Sequence, residues 1–553
     1  MTNKSLEFIK QHEGEFVEEP FLQQLEGLGW QVIRLKMHAQ TAEESYRVDF
    51  NEVLLKPILR ESLQKLNDWL EPDQIEHIVS ELNFKSSSQL LETNQKLLTQ
   101  LLENQITATN RKTNKNNQSV KVIDFEQPEK NGFIAISQLK LRIIGTENHI
   151  YPDIILFVNG LPFVVIECKS PKAKEPIPEA IDQLLRYSEQ RGARGEGCPA
   201  LFYYNQFLIV TCRNEAKFGT ITTHSEKHFY RWSDPYPLTL NNLEHDASSP
   251  NSQQRLVAGM LAKQNLLDIV RTFTLFSTDD KGKMIKVVGR YQQFRAVKIA
   301  TQRLLNGQNR FERSGIIWHT QGSGKSLTMM FMVREMYRHA QLMQWKIIFV
   351  TDRTQLEEQL AETSQHIGFT VKVADSVKNL KALLESTNSN LVMAMIHKFQ
   401  EGDLDVTFPE LNPSPHILVM TDEAHRSQYS KLAANLDKAL PNASRIGYTG
   451  TPIDKTEKVF GDYIDKYTMK QAIDDGVTLQ IVYEGRTHNA EISDKEKMDA
   501  EFADVFSEYK LNERLQILGH GSRDAYLDAD STIQAKAKDM VEHYLIVPAN
   551  QCG

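Results

Sequence analysis

A glycine-rich loop between a strand and a helix sets the strongest limit on what this chain can fold into. The letters WHTQGSGKS follow the apolar run GII and precede SLTMMFMVREMY, which has the pattern of an amphipathic helix. Gly322, Ser323 and Gly324 form a turn whose backbone N–H groups can approach phosphates closely. Lys325 can reach the β- and γ-phosphates, and Ser326 offers a hydroxyl to Mg²⁺. The strand–loop–helix context predicts a nucleotide-binding α/β lobe.

The second half of the chain repeats this strand–helix rhythm. Short apolar strands alternate with helical segments in SGIIWHT, WKIIFVTD, NLVMAMIH, HILVMTDEAH and SRIGYTGTP, which predicts a parallel sheet with helical crossovers. The run ending in TDEAH delivers Asp422, Glu423 and His425 at a carboxyl end, where parallel sheets bind ligands. We expect Asp422 to hold Mg²⁺ and Glu423 to orient or deprotonate the attacking water. Gln293 is suited to reading an adenine edge, and a solvated helix residue is the alternative there.

Composition leaves the function open. The chain has 553 residues, a net charge of −8, 40% hydrophobic residues and no apolar run long enough to span a bilayer. The acidic balance does not favour nucleic-acid binding, but a local basic groove can track DNA on an acidic protein. The four cysteines form no CxxC pair, which suits a reducing compartment and disfavours zinc. We expect a cytoplasmic protein with no membrane partner.

The first half is organised differently. Phe16–Gly29 has helical spacing and ends in glycine, and Asn51–Leu102 continues with amphipathic helices. Asn104–Ser119 is polar and predicts a loop. From Phe133 onward the period is that of strands, until a polar, turn-rich seam at Asn241–Arg255 marks a domain boundary.

Three charged residues interrupt an otherwise apolar hairpin, YPDIILFVNGLPFVVIECKSP. Asp153, Glu167 and Lys169 have the spacing of a PD-(D/E)xK nuclease. Two carboxylates can bind Mg²⁺, which lowers the pKa of a bound water and steadies charge on a scissile phosphate. Lys169 would position that water and help to neutralise the phosphate. The alternative is a surface hairpin with a salt bridge, because this pattern alone is a loose one.

The hairpin carries a geometric condition. With a plain two-residue turn at Asn159-Gly160, Asp153 would point away from Glu167, since sheet faces alternate with period two. A shared metal requires an odd loop or a β-bulge. We predict a three-residue loop, Asn159-Gly160-Leu161, with Gly160 left-handed.

Two further candidates lie near this hairpin in sequence. Gln183 and Tyr187 are four residues apart on a predicted helix and share a face. A QxxxY pair shortly after ExK resembles the RecB-type branch of these nucleases, in which the pair lies beside the metal site and affects cleavage. Glu19 is a candidate third carboxylate, although a solvated helix face accounts for it better.

Four motifs in the second half of the chain resemble those of a known family. WHTQGSGKS, VTDRTQLEEQ, TDEAH and YTGTP resemble superfamily 2 helicase motifs I, Ia, II and III, in that order, and their wording is most similar to the motor subunit of type I restriction endonucleases. His319, which stands where motif I has a small residue, is that family's own variant. In that resemblance Asp352 and Arg353 couple the ATP site to the DNA strand; a plain capping turn is the alternative.

The resemblance implies a fold and a function. It implies a PD-(D/E)xK endonuclease domain over 1–245, a first RecA-like lobe over 255–468, and over 469–553 a crossing segment with the start of an incomplete second lobe. It further implies ATP-driven translocation on double-stranded DNA coupled to Mg²⁺-dependent cleavage, with methylation and specificity subunits as partners. Neither the recognition sequence nor the identity of the partners can be read from this sequence.

Two alternatives stay open. One is a stand-alone defence nuclease-helicase, and the other is an ATP-switched DNA-binding module whose hairpin is structural. A complete motor would need an arginine finger from the second lobe, worth roughly three to five orders of magnitude in rate. We therefore expect a truncated chain with weak ATP turnover of its own.

Overall fold

The computed structural model describes most of the first 478 residues and little beyond them. The described ranges are 9–37, 39–83, 89–243, 249–279, 281–351, 371–388, 391–395, 405–422, 427–451, 460–478, 533–534 and 536–541. Residues 1–479 form one compact unit and residues 480–553 a second. Within the described part of the second unit, residues 536–541 are helical. Most of the predicted second lobe therefore lies outside the described residues.

The N-terminal part is built on a mixed seven-stranded sheet. Its strands run in the order β1-β4-β7-β8-β9-β10-β11, with β1–β4 and β8–β9 parallel and the other neighbours antiparallel. Two short ribbons, β2–β3 and β5–β6, stand apart from this sheet. The strands are β1 (Gln31–Arg34), β2 (Thr107–Asn110), β3 (Lys115–Ser119), β4 (Phe133–Ser137), β5 (Leu141–Arg142), β6 (His149–Ile150), β7 (Ile154–Val158), β8 (Leu161–Cys168), β9 (Phe207–Thr211), β10 (Ala216–Gly219) and β11 (Tyr230–Arg231).

Helices pack around this sheet. They are α1 (Glu19–Gly27), α2 (Lys56–Leu66), α3 (Pro72–Leu82), α4 (Leu90–Leu102) and α5 (Pro176–Tyr187), with a π-helical turn at Gly14–Glu18 leading into α1. Every residue of β7 and β8 is buried, because helices and flanking segments cover both faces of the central strands. The predicted first helix and the helices before residue 102 are confirmed. The expected loop at 104–119 is wrong: it forms the β2–β3 ribbon, whose largely exposed, polar residues hide the usual alternation of a strand.

The second half contains a seven-stranded parallel sheet and a two-stranded ribbon. The parallel order is β16-β17-β15-β18-β19-β14-β20, and β12 pairs with β13 in the ribbon. The predicted α/β class with a parallel sheet is confirmed. These strands are β12 (Thr274–Thr278), β13 (Met284–Val288), β14 (Gly315–His319), β15 (Lys346–Thr351), β16 (Val371–Ala374), β17 (Leu391–Met395), β18 (Ile417–Asp422), β19 (Ser444–Thr449) and β20 (Tyr463–Tyr467).

Helices precede, connect and follow the strands of the parallel sheet. They are α6 (Ser252–Leu261), α7 (Lys263–Arg271), α8 (Tyr291–Asn306), α9 (Arg310–Arg313), α10 (Lys325–Arg338), α11 (Val377–Glu385), α12 (Ser427–Ala439) and α13 (Met469–Asp474). Helix α6 packs on the N-terminal part: Gln24 donates to the Gln254 carbonyl at 2.7 Å, and the Trp30 indole donates to the Leu261 carbonyl at 2.9 Å. Across the described residues, every helix is too short or too polar to cross a bilayer.

Candidate functional sites

The turn of the β7–β8 hairpin contains two residues, because Val158 pairs directly with Leu161. Asn159 and Gly160 are both left-handed, with φ of 49° and 82°, as a type I′ turn requires. The buried Asn159 carboxamide accepts the Gly132 N–H at 2.7 Å, which holds the turn in this conformation. The predicted three-residue loop is therefore wrong.

A β-bulge farther along the same hairpin shifts the strand pairing by one residue, which the two-residue turn alone does not do. The ladder shifts by one residue within β8, where Phe163 is left without a partner on β7. Pro162 precedes it, and proline, which has no N–H for the ladder, is tolerated at bulges. Beyond the bulge the shifted pairing brings Asp153 opposite Glu167. The sequence analysis required such a bulge if the loop contained an even number of residues.

The three predicted charged side chains converge. The Lys169 ammonium lies 3.3 Å from Glu167 Oε2 and 3.8 Å from Asp153 Oδ2. Asp153 also accepts the backbone N–H of Cys168 at 2.7 Å. The Asp153 and Glu167 side chains are 7% and 0% exposed, which excludes the surface salt bridge considered as an alternative.

Burial and mutual repulsion govern the charge of this cluster. Burial raises the pKa of Glu167 well above its usual value, and the nearby Asp153 charge raises it further against the opposing effect of Lys169. Burial lowers the pKa of Lys169, but the charges of Glu167 and Asp153 outweigh it, so the net shift is upward. Among the described residues, nothing bonds to the buried Oε1 of Glu167. A buried carboxylate oxygen without a partner is costly unless a cation or proton meets it.

Two carboxylates that the sequence did not single out lie beside the cluster. The Gln138 amide donates to both Glu18 Oε2 at 2.9 Å and Asp153 Oδ1 at 3.1 Å. Glu13 accepts the backbone N–H of Ser170 at 3.1 Å. Burial, with Asp153 adding to it, raises the pKa of Glu18 to about 8. Burial likewise raises the pKa of Glu13 to about 7, although Lys169 opposes it.

The π-helical turn at Gly14–Glu18 brings Glu18, which the sequence did not single out, to the cluster, whereas Glu19 lies on the exposed helix face that the sequence favoured for it. A π turn adds a residue to the helical repeat, so side chains five apart, such as Glu13 and Glu18, come to one face. Glu19 instead bonds to the Arg34 guanidinium at 2.9 Å, with 38% of its side chain exposed. Such turns are frequent at functional sites, but the polar sequence GEFVE contains no local signal for one.

Gln183 and Tyr187 bond to each other, as their predicted spacing on a helix allows. The Gln183 amide donates to the Tyr187 hydroxyl at 2.6 Å, and that hydroxyl donates to the Tyr151 carbonyl at 3.1 Å. Tyr151 stands two residues before Asp153, so the pair supports the strand that carries the cluster.

The phosphate-binding loop has the local structure that its sequence predicts. Gly322 and Gly324 have φ of 77° and 83°, a conformation that side chains with a Cβ rarely adopt. The buried Ser323 hydroxyl donates to the Thr320 carbonyl at 2.6 Å, which closes the loop. Helix α10 then begins at Lys325, so its N-terminus faces the loop.

Two neighbouring strands complete this site. Asp422 ends β18, fully buried, and pairs in the sheet with Tyr448 of β19. Beyond β19, a Cβ on Gly450 would lie 3.2 Å from the Lys325 ammonium, so the backbone of Gly450 passes close to the lysine. The predicted Glu423 and His425 lie outside the described residues, as do 352–353.

Gln293 is 2% exposed and lies against the phosphate-binding loop. Its amide donates to the Gly324 carbonyl at 2.9 Å, and its oxygen accepts the Arg290 N–H at 2.8 Å, which caps α8. Gln293 thus contacts the phosphate-binding loop; its adenine-reading role stays a prediction.

The unusual His319 has a structural partner. Its Nε2 lies 2.8 Å from Asp465 on β20, and Asp465 also accepts the Arg295 guanidinium at 2.6 Å. Burial lowers the pKa of His319, and the bond to Asp465 opposes this only in part, which favours the neutral ring. Arg295 also bonds to Asp234, so this chain of polar groups reaches from the loop to the N-terminal part.

These features define a class of protein: a helicase-like P-loop ATPase lobe joined to a mixed sheet that carries a buried acidic cluster. Residues 10–227 match the family model of the type I restriction enzyme R protein N terminus, and residues 292–515 match that of the SWI2/SNF2 ATPases. Over residues 10–227 the chain thus resembles the R protein of type I restriction enzymes.

Individual curated proteins are similar to the chain over nearly all of its length. The chain is 31% identical to the HindI endonuclease subunit of Haemophilus influenzae over 96% of its own length and 51% of that protein's. It is 28% identical to the MjaIXP endonuclease subunit of Methanocaldococcus jannaschii, over 97% and 52%. The chain therefore spans about half the length of these relatives. A solved nuclease-deletion mutant of the Type ISP restriction-modification enzyme LlaGI, with a DNA substrate mimic, is 16% identical over 39% of this chain and 22% of that chain, at a TM-score of 0.24.

Proposed function

We propose that the N-terminal sheet is a PD-(D/E)xK nuclease domain that hydrolyses DNA phosphodiester bonds with Mg²⁺. The observation that carries the proposal is the convergence of Asp153, Glu167 and Lys169, with Glu167 Oε1 left without a bond among the described residues. An isolated structural salt bridge gives no reason to bury two carboxylates against one lysine.

The donor set fits magnesium. Among the described residues, no three or more His, Cys, Asp and Glu side chains gather as a metal cage. Mg²⁺ does not need one, because it keeps several waters and is typically bound by one or two carboxylates plus substrate phosphates. Asp153 and Glu167 would hold it. Bound there, the ion would lower the pKa of a coordinated water and offset charge on the scissile phosphate.

The remaining residues have supporting roles. The Lys169 ammonium is positioned to orient the attacking water and to neutralise the phosphate. Gln183 and Tyr187 hold the Tyr151 carbonyl and thereby the start of the strand that carries Asp153. Glu18, linked to Asp153 through Gln138, is a further carboxylate for protons or for waters around the ion.

The parallel sheet supplies the first lobe of an ATP-driven DNA translocase. Residues 322–326 would hold the phosphates and, through Ser326 and Asp422, Mg²⁺. Gln293 would read the adenine, Glu423 would prepare the attacking water, and His425 belongs to the same motif. The proposed complete enzyme is a cytoplasmic type I restriction endonuclease, in which methylation and specificity subunits choose the site on double-stranded DNA. The cysteines of the described residues are free and buried, as a reducing compartment allows.

Plasmid nicking tests the nuclease proposal. Wild-type chain with Mg²⁺ or Mn²⁺ should convert supercoiled plasmid to nicked or linear forms, and excess EDTA should stop the conversion. Glu167→Gln keeps the side-chain volume but removes the charge, so it should nick at least about a hundredfold more slowly. Equal rates for wild type and Glu167→Gln would leave the chain as an ATP-switched DNA-binding module with a structural hairpin.

Stability of the metal-free protein should fall as pH rises from 6 to 8. A carboxyl group whose pKa is raised by folding binds its proton more tightly in the folded state, so stability is greatest below the unfolded value of 4.5 and is lost up to the folded pKa, about 8 for Glu18. One such group contributes at most about 2 kcal/mol over these two pH units.

Thermal unfolding in EDTA measures this effect. Tm should be lower at pH 8 than at pH 6 in the wild type, and Glu18→Gln should reduce that difference. Glu19→Gln is the matched control, since Glu19 is bonded to Arg34 at the surface and its pKa is lowered instead. A pH dependence that is the same in Glu18→Gln as in the wild type would contradict the placement of Glu18.

A further inference from the structure

A buried lysine of the β12–β13 ribbon makes its side-chain hydrogen bonds to residues of the N-terminal part. Lys286, on β13, is 3% exposed. Its backbone N–H donates to the Thr222 hydroxyl at 3.1 Å, and its carbonyl accepts the Thr220 hydroxyl at 2.9 Å. Its ammonium enters a cage of three oxygens, which are Asn94 Oδ1 at 2.9 Å, the Asn205 carbonyl at 2.7 Å and Gln206 Oε1 at 3.1 Å.

The cage matches the hydrogen-bonding capacity of an ammonium group. An ammonium has three N–H donors and no acceptor, and three acceptor oxygens take them. Asn94 is committed to this orientation, because its own amide donates to the carbonyls of Phe202, Tyr203 and Asn205. Burial lowers the pKa of Lys286, which shows how far the site is removed from water. Losing the lysine would leave buried oxygens without donors, at a cost that water cannot easily relieve.

The cage connects directly to the bulge that sets the nuclease register. The Gln206 N–H donates to the Phe163 carbonyl at 2.6 Å, and the Asn205 amide donates to the same carbonyl at 3.3 Å. Phe163 is the extra residue of the β7–β8 hairpin. Residues that hold the Lys286 ammonium therefore also hold the bulge that brings Asp153 opposite Glu167.

The same ribbon leads into the nucleotide site. Four residues after Lys286, the Arg290 N–H bonds to Gln293, whose amide bonds to the Gly324 carbonyl of the phosphate-binding loop. Strand β13 thus contacts residues that hold the bulge, and the helix that follows it contacts the phosphate-binding loop, within one compact unit.

We propose that Lys286 is a positioning residue, through which the motor lobe holds the bulge of the nuclease hairpin and so keeps Asp153 and Glu167 in register. This inference rests on the proposed nuclease function for its consequence in catalysis, but the mechanical link can be measured without it. Lys286 touches neither DNA nor metal in this role. It acts through Asn205, Gln206 and the Phe163 carbonyl.

Amide hydrogen exchange of the metal-free chain tests the link. In Lys286→Met the amides of residues 164–168 should exchange about tenfold faster or more, which corresponds to losing hydrogen bonds to a charged group. The amides of β15, in the seven-stranded parallel sheet, should keep their wild-type exchange rates. Lys283→Met is the matched control, because Lys283 lies on the same ribbon segment but is exposed. It should exchange like the wild type throughout.

Metal binding and nicking extend the test. In Lys286→Met, half-maximal nicking should require several-fold more Mn²⁺, and saturating Mn²⁺ should restore most of the rate, because the ligands are displaced rather than removed. If the methionine variant does not fold, Lys286→Gln, which keeps one amide group as donor, should show the same changes in exchange and in Mn²⁺ requirement with a smaller amplitude.

Unchanged exchange at 164–168, or a uniform increase in both sheets, would overturn the inference. Absence of nicking by the wild type would instead refute the nuclease function and leave the exchange result interpretable.

Discussion

Replacing Asp153 with alanine is expected to abolish DNA cleavage by the assembled enzyme while ATP hydrolysis continues. Asp153 is one of two carboxylates proposed to hold Mg²⁺ and lies within 3.8 Å of the Lys169 ammonium. Removing an ion that stabilises the developing charge costs several kcal/mol, so cleavage should fall about a thousandfold or more. The phosphate-binding loop is built from a different sheet and should not be affected. Plasmid cleavage and phosphate release, measured on the same preparation with all subunits present, separate the two activities.

The choice of substitution decides how cleanly this result can be interpreted. Asp153 also accepts the Cys168 N–H at 2.7 Å, so alanine leaves a buried donor unsatisfied at a cost of about 1–3 kcal/mol. Asp153→Asn keeps an oxygen acceptor and the side-chain volume while it removes the charge. We therefore expect the asparagine variant to be more stable than the alanine variant, which keeps neither acceptor, and still not to cleave. Loss of ATP hydrolysis in Asp153→Asn would contradict the assignment of separate sites.

Replacing Lys325 with alanine is expected to have the reciprocal effect. Lys325 is 6% exposed, begins α10 after two left-handed glycines, and is the residue that can reach the β- and γ-phosphates. Without it, charge on the transferred phosphoryl group loses its fixed cation, and ATP hydrolysis should fall about a hundredfold to a thousandfold. ATP-dependent translocation and the cleavage that depends on it should disappear.

Metal-dependent nicking by the hairpin site gives this second prediction its control. Lys325→Ala should still nick plasmid with Mn²⁺ in the absence of ATP, at the wild-type rate, because the cluster around Glu167 does not involve the loop. Lys378→Ala, which removes an exposed lysine from α11 of the same lobe, should leave both activities unchanged. If Lys325→Ala hydrolysed ATP at the wild-type rate, the loop would not be a nucleotide site.

The sequence predicted those features that are encoded locally. The glycines of the phosphate-binding loop need left-handed φ, and the apolar runs around it can only be buried strands, so the loop and the parallel sheet follow from short stretches of chain. The spacing of Gln183 and Tyr187 on a helix is likewise local, and the two side chains do bond to each other. For Asp153 and Glu167 the sequence determined a condition, an odd loop or a bulge, but not which of the two applies.

Tertiary structure decided the rest, because the deciding contacts come from distant segments. The bulge at Phe163 is held by Asn205 and Gln206, and Gln206 in turn binds Lys286, 80 residues farther along the chain. Glu18 reaches the cluster through a π turn and the Gln138 amide, while Glu19 lies on the solvated face that the sequence favoured for it. By itself the sequence predicted the residue types from which each candidate site is proposed, since local patterns suffice for that. Only contacts between distant segments decided the register in which Asp153 and Glu167 meet, because the bulge is held by residues that lie far from it in the chain.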